Sequence, residues 1–125
     1  MNETLSTELF YGMILSGAKQ VIHSEGELNR LNVFPVADRD TGTNLASMMR
    51  YIVDNLSMTK DTPELLHQLS QHGLVGCCGN SGLIFSQFFY GLTQHRLTEK
   101  TLLKMHDFVE MIAHGYKSAY SSVSN

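Results

Sequence analysis

Two aspartates one residue apart, Asp38 and Asp40, lead at once into Thr41, Gly42, Thr43 and Asn44, and then into an amphipathic run from Leu45. In an extended or turning backbone, side chains at i and i+2 can converge on one point. Two carboxylates with a nearby amide oxygen, from Asn32 or Asn44, form a hard oxygen set suited to Mg²⁺ that also touches phosphates. A second stretch of similar character, Gly76-Cys77-Cys78-Gly79-Asn80-Ser81-Gly82, precedes another apolar run from Leu83. If each stretch opens a helix, the first turn presents unpaired backbone N–H groups and about half a positive charge. Glycine lets a ligand approach the backbone and hydroxyls add donors, which together make an anion site with phosphate as the usual occupant. One stretch offers a cation and the other a phosphate cradle, and nucleotide phosphates bound through Mg²⁺ satisfy both.

The same residues admit a plainer description. Asp commonly caps a helix, and Gly and Asn are ordinary turn residues. The second stretch is not a Walker A loop, since no Lys-Ser/Thr follows it. Nor is the first an EF-hand, because counting from Asp38 puts Met49 where the bidentate Glu belongs. Generic motif logic therefore stops at a choice between an Mg-phosphate site and two capped helices.

The elements that must position these residues are helical. Apolar positions recur with a period of about 3.6: Leu9, Phe10, Met13, Ile14, Ala18, Val21 and Ile22 in a first helix expected to fade near Gly26, then Leu45, Met48, Met49, Ile52, Val53 and Leu56 in a second. A third begins at Asp61, with Pro63 in its first turn and Glu64 completing a capping box, and Gly73 is its expected stop. A fourth opens at Gly79-Asn80-Ser81-Gly82 and carries Ile84, Phe85, Phe88, Phe89 and Leu92. A fifth is expected after Thr98, with Leu97 stapling onto Leu102 and an apolar face of Leu102, Met105, Val109, Ile112 and Tyr116. No segment alternates long enough to predict a strand. The one extended candidate is Asn32 to Val36, held open by Pro35. The fold expected is all-α: five antiparallel amphipathic helices in one domain over residues 1–125.

The totals narrow the function. A net charge of −3 with no basic run gives no electrostatic case for nucleic acid as a partner. No apolar run of about 18 residues is present to span a membrane, and the acidic N-terminus lacks the pattern of a signal peptide. Cys77 and Cys78 are neighbours, and adjacent cysteines rarely bridge; free thiols predict a cytoplasmic protein. The histidines are scattered, and His72 with Cys77 and Cys78 fits no standard zinc spacing.

Taken together the two stretches resemble a known family. Residues 32–44, NVFPVADRDTGTN, are similar to the first signature of the DhaL-like family, Asn-Val-Phe/Tyr-Pro-Val-Pro-Asp-Gly-Asp-Thr-Gly-Thr-Asn. GCCGNSGLIFSQFFYGL resembles its second, Gly-Ala-Arg-Gly-Asn-Ser-Gly-Val-Ile-Leu-Ser-Gln. The family comprises the nucleotide-binding subunit of dihydroxyacetone kinases and the N-terminal domain of DegV-linked fatty acid kinases. The resemblance implies a ring of amphipathic helices binding ATP or ADP at one rim through Mg²⁺. Carried onto this chain, it implies Asn32, Asp38 and Asp40 as the metal set and Thr41, Thr43 and Asn44 beside the phosphates. Gly79, Asn80, Ser81 and Gly82 become the phosphate-cradling loop. It also implies phosphoryl transfer to an acceptor on a separate protein, either a DegV-like fatty-acid-binding protein or a DhaK-like subunit.

The departures carry a rival expectation. Arg39 stands where the family has Gly, Ala37 replaces Pro, and Cys77-Cys78 replaces Ala-Arg. Two unit charges about 4 Å apart attract by about 4 kcal/mol at an effective dielectric near 20, so Arg39 can compete with a weak Mg²⁺ site. The chain also stops short of the helices that close the family's ring, which predicts self-association or a partner chain. The alternative is thus a degenerate, truncated, non-catalytic relative serving as an interaction or regulatory module.

Overall fold

The computed structural model describes residues 3–31 and 40–123. Among these, six helices make up the fold: α1 (Thr7–His23), α2 (Glu25–Leu31), α3 (Thr41–Asn55), α4 (Thr62–Gly76), α5 (Gly79–Leu92) and α6 (Met105–Val123). Two short strands, β1 (Thr4–Ser6) and β2 (Leu102–Lys104), pair antiparallel with Leu5 opposite Leu103. The all-α expectation holds, with this small sheet as the exception. The expected extended stretch Asn32 to Val36 lies outside the described residues.

Helix α3 is central because its apolar stripe is complete. Leu45, Met48, Met49 and Ile52 fall three or four residues apart and all are buried, and α1, α2, α4 and α5 pack around them. Leu65, Leu66 and Leu69 of α4 and Met111 of α6 join the same core. Each fully buried side chain of this size contributes roughly 1.5–3 kcal/mol. An exposed ion pair such as Arg50–Glu25 contributes about 0–1 kcal/mol, so the stripe and not the charges fixes where α3 sits.

Helix α4 starts as the sequence predicts: the Asp61 carboxylate accepts the Glu64 N–H at 2.9 Å, and Pro63 lies in the first turn. It does not stop at Gly73 but continues to Gly76. Gly73 serves packing instead, since a Cβ there would lie 2.8 Å from the Phe89 ring of α5. Helix α1 likewise ends earlier than expected, at His23, and a separate α2 follows after Ser24.

The last helix begins at Met105, several residues later than Thr98. The reason is tertiary. Thr62 N–H donates to the Lys100 carbonyl at 2.7 Å, Thr7 N–H donates to Thr101 at 3.3 Å, and β1 occupies the backbone of 102–104. The Thr7 and Thr62 hydroxyls meet at 2.9 Å in the buried angle between α1 and α4. Backbone groups used in this way cannot close a helical turn.

Helices α5 and α6 form a close antiparallel pair, with Gly91 against Gly115 and Gln87 beside Ser118. The apolar stripe of α6 nevertheless faces outward: Met105, Val109, Ile112, Tyr116, Tyr120 and Val123 are exposed, while Asp107, Met111 and Gly115 are buried. An open apolar cavity of about 310 Å³ lies between α1 and the α5–α6 pair, lined among others by Phe10, Met13, Met49, Phe85 and Phe89. No helix of the described residues is long and apolar enough to cross a membrane.

Candidate functional site

Both stretches singled out in the sequence open helices, α3 and α5. Asp40 stands at the N-cap of α3, and its carbonyl accepts the Asn44 N–H at 2.9 Å, but its side chain makes no capping bond to the helix. Asn29 of α2 takes that role. Its Oδ1 accepts the Thr43 N–H at 2.9 Å, and its Nδ2 donates to Thr43 Oγ1 at 2.9 Å. The two helices approach so closely that a Cβ on Gly42 would run into the Glu25 carbonyl and lie 2.7 Å from Asn29 Oδ1. Gly42 therefore admits a helix backbone.

Glu25 completes the brace. It pairs with Arg50 at 2.8 Å, and hydrogen bonds from Arg50 and then from the Thr43 hydroxyl hold its carboxyl below the usual glutamate range. Thr43 thus accepts from Asn29 and donates to Glu25, and its hydroxyl is committed to the α2–α3 contact.

Helix α5 begins at Gly79, whose φ of +69° is the left-handed conformation that favours glycine. A Cβ at this position would collide with the Asn44 amide. Cys78, at the N-cap, makes no side-chain capping bond to α5 and turns its Sγ toward Asn44, 3.6 Å from Oδ1 and 3.7 Å from the carbonyl. Asn44 is accordingly where the first turn of α3 and the start of α5 meet. Asn80 is exposed, and Gly82 is buried in ordinary contact with Cys77. Ser81 Oγ is shielded from solvent and finds no hydrogen-bond partner among the described residues.

The donor set fits a phosphate. The opening N–H groups of α5 carry the positive end of the helix and receive no side-chain cap from Cys78. A shielded hydroxyl without a partner costs about 1–3 kcal/mol, which an anion accepting from Ser81 would offset. Of the residues expected to act, Asp40, Thr41 and Asn44 lie at the start of α3 and Gly79, Asn80, Ser81 and Gly82 at the start of α5, joined at Asn44. Thr43 faces α2. Asn32, Asp38 and Arg39 lie outside the described residues.

Residues 35–125 match the DAK2 domain. The chain belongs to the DAK2 domain family. The family is one of kinase-type nucleotide-binding domains, and the DhaL-like resemblance drawn from the two signatures is thereby borne out. The chain is 35% identical over 131 residues to Protein YloV of Bacillus subtilis, covering 96% of this chain and 22% of that protein. It is 34% identical over 127 residues to an uncharacterized protein of Staphylococcus epidermidis, covering 98% of this chain and 22% of the relative. An uncharacterized Staphylococcus saprophyticus protein is 34% identical over 126 residues with the same coverage. This DAK2 chain thus spans about a fifth of the length of the curated relatives it matches.

Sequence reasoning missed Asn29, Glu25 and Arg50, which brace the start of α3 against α2 in this DAK2 chain. Glu25 and Asn29 lie in the short stretch Glu25–Leu31, a helix too brief to show a periodic face, and Arg50 lies on the polar side of α3.

Proposed function

We propose that the chain, over residues 1–125, is an Mg²⁺-dependent ATP/ADP-binding domain of a phosphotransferase of the fatty acid kinase or dihydroxyacetone kinase type. The observation that carries this is the meeting of two helix starts at Asn44, with the Ser81 hydroxyl, which has no partner among the described residues, and the left-handed Gly79 on the α5 side. The α5 N–H groups and Ser81 Oγ donate to phosphate oxygens, Asn80 and Gly82 shape the same turn, and Thr41 and Asn44 approach from α3. Thr43 acts at one remove, holding the α3 start against α2. Asp40, with Asn32 and Asp38 of the preceding segment, supplies the oxygen ligands. Mg²⁺ held by these oxygens would supply charge neutralisation at the phosphates. The chain itself contributes positioning and donors, and no side chain forms a covalent intermediate. The chain acts in the cytoplasm, and the acceptor is carried by a separate protein, a DegV-like fatty-acid-binding protein or a DhaK-like subunit.

The exposed stripe of α6 supports a partner chain or self-association, since contiguous apolar surface of this kind marks interaction sites. It equally favours the second reading, an interaction module that has lost nucleotide binding. Calorimetry with ADP and ATP, with and without Mg²⁺, separates the two. Mg²⁺-dependent binding that Asp40→Ala abolishes and Ser81→Ala weakens is the expected result. Absence of binding by protein shown to be folded and helical would overturn the nucleotide-binding reading and leave the interaction module.

A further inference from the structure

The far end of the α5–α6 pair carries a second cluster of ligating groups that the nucleotide site does not use. With α5 fourteen residues long and rising about 1.5 Å per residue, it lies roughly 20 Å from Gly79. His95 follows the C-terminus of α5, and Glu110 and His114 stand four apart on α6, hence on one face of that helix. One ligand atom from each of the three lies within 4.8 Å of the other two, and the His95 and His114 rings stack with centroids 5.8 Å apart.

What distinguishes this cluster from a chance gathering of surface side chains is the support behind His95. Asp107 is 1% exposed, and its Oδ1 lies 2.8 Å from His95 Nε2. The other oxygen accepts from Thr98 Oγ1 at 2.6 Å and Thr98 N–H at 3.2 Å. A carboxylate fixed in this way accepts the Nε2 proton, leaving Nδ1 with the lone pair that a metal would use. The pattern of carboxylate, histidine and open imidazole nitrogen is the support that ligating histidines receive in metal sites.

We propose that His95, Glu110 and His114 bind a divalent transition metal ion of the zinc class, oriented by Asp107 and Thr98. Imidazole nitrogens favour such ions over Mg²⁺, so the site is chemically separate from a nucleotide-bound magnesium. Zinc–ligand bonds near 2.0–2.1 Å place tetrahedral ligand atoms roughly 3.3 Å apart. The ligand atoms, within 4.8 Å of one another, would have to close by at most about 1.5 Å, a movement in which the exposed Glu110 side chain can share. Three ligands leave a fourth position for water or for a donor from another chain. The bound ion would tie the segment after α5 to the middle of α6.

The test is Zn²⁺ alone titrated into the EDTA-stripped, dialysed full chain by calorimetry, with imidazole NMR signals followed in parallel. One equivalent is expected to bind, shifting the His95 and His114 signals and raising the melting temperature, and excess Mg²⁺ does not compete. Asp107→Asn should weaken binding about 10–100-fold, and His114→Ala by at least as much. Because Asp107 is buried, its variant can fail to fold; Glu110→Gln, at an exposed helix position, and His114→Ala keep the outcome readable. Cys77→Ser with Cys78→Ser should leave the affinity unchanged. Binding that vanishes with the cysteines, that is indifferent to His114→Ala and Glu110→Gln, or that is absent from folded wild type overturns the proposal.

Discussion

Gly91→Ala and Gly12→Ala are the same substitution inside two helices, and the structure assigns them opposite signs. In an exposed helix interior, replacing Gly by Ala stabilises by about 0.5–1 kcal/mol, since alanine loses less backbone freedom on folding. Gly12 meets that condition: among the described residues nothing lies within 4 Å of where its Cβ would be. At Gly91 a Cβ would press on the His114 carbonyl, lie 2.6 Å from Gly115 Cα and lie 2.8 Å from Ser118 Cβ. Carbon atoms rest near 3.5–4.0 Å, and the obstacles here are mostly backbone, so α5 and α6 must separate by about 1 Å. Overpacking of this kind costs typically 1–3 kcal/mol. Set against the propensity gain, Gly91→Ala should destabilise by about 1–2 kcal/mol. Urea unfolding followed by circular dichroism measures both variants against wild type, with an unchanged m-value as the check that the unfolding transition is comparable. A Gly91→Ala protein as stable as wild type, or more so, would refute the close α5–α6 contact.

Asp107 gives a pH signature. Burial alone raises its pKa, but hydrogen bonds from Thr98 and His95, with His106 nearby, outweigh burial and hold it down to about 2 against an ordinary 3.8. A folded-state pKa below the unfolded one stabilises above the unfolded value and is lost as pH falls through the folded one. In metal-free protein Asp107 should therefore contribute about 2 kcal/mol at neutral pH that disappears between about pH 4 and pH 2. Asp107→Asn should be less stable by about that amount at pH 7 and converge on wild type at the acid end of a denaturation series; a pH-independent gap would contradict it. Asn29→Ala removes the acceptor for Thr43 N–H and should cost about 1 kcal/mol in thermal or urea unfolding. It should also weaken ADP binding in calorimetry if the start of α3 serves the nucleotide.

Much of this architecture is local and so was legible in the chain alone. The 3.6-residue stripe of α3, the Asp61–Glu64 cap of α4 and the Gly79-Asn80-Ser81-Gly82 opening of α5 depend on neighbours a few residues away, and each appears where the spacing puts it. The two signatures also sufficed to place the chain in its family. Tertiary structure decided the rest, because the deciding partners are distant in sequence. Gly42 and Gly73 look like punctuation until α2 and Phe89 arrive against them. Residues 102–104 extend because α1, α4 and β1 claim the backbone of that region. The α6 stripe predicts an apolar face but cannot say whether anything covers it, and here it faces outward. His95, Glu110 and His114 show no metal spacing in the sequence; only the antiparallel return of α6 along α5 brings a residue beyond one helix beside two in the middle of the next.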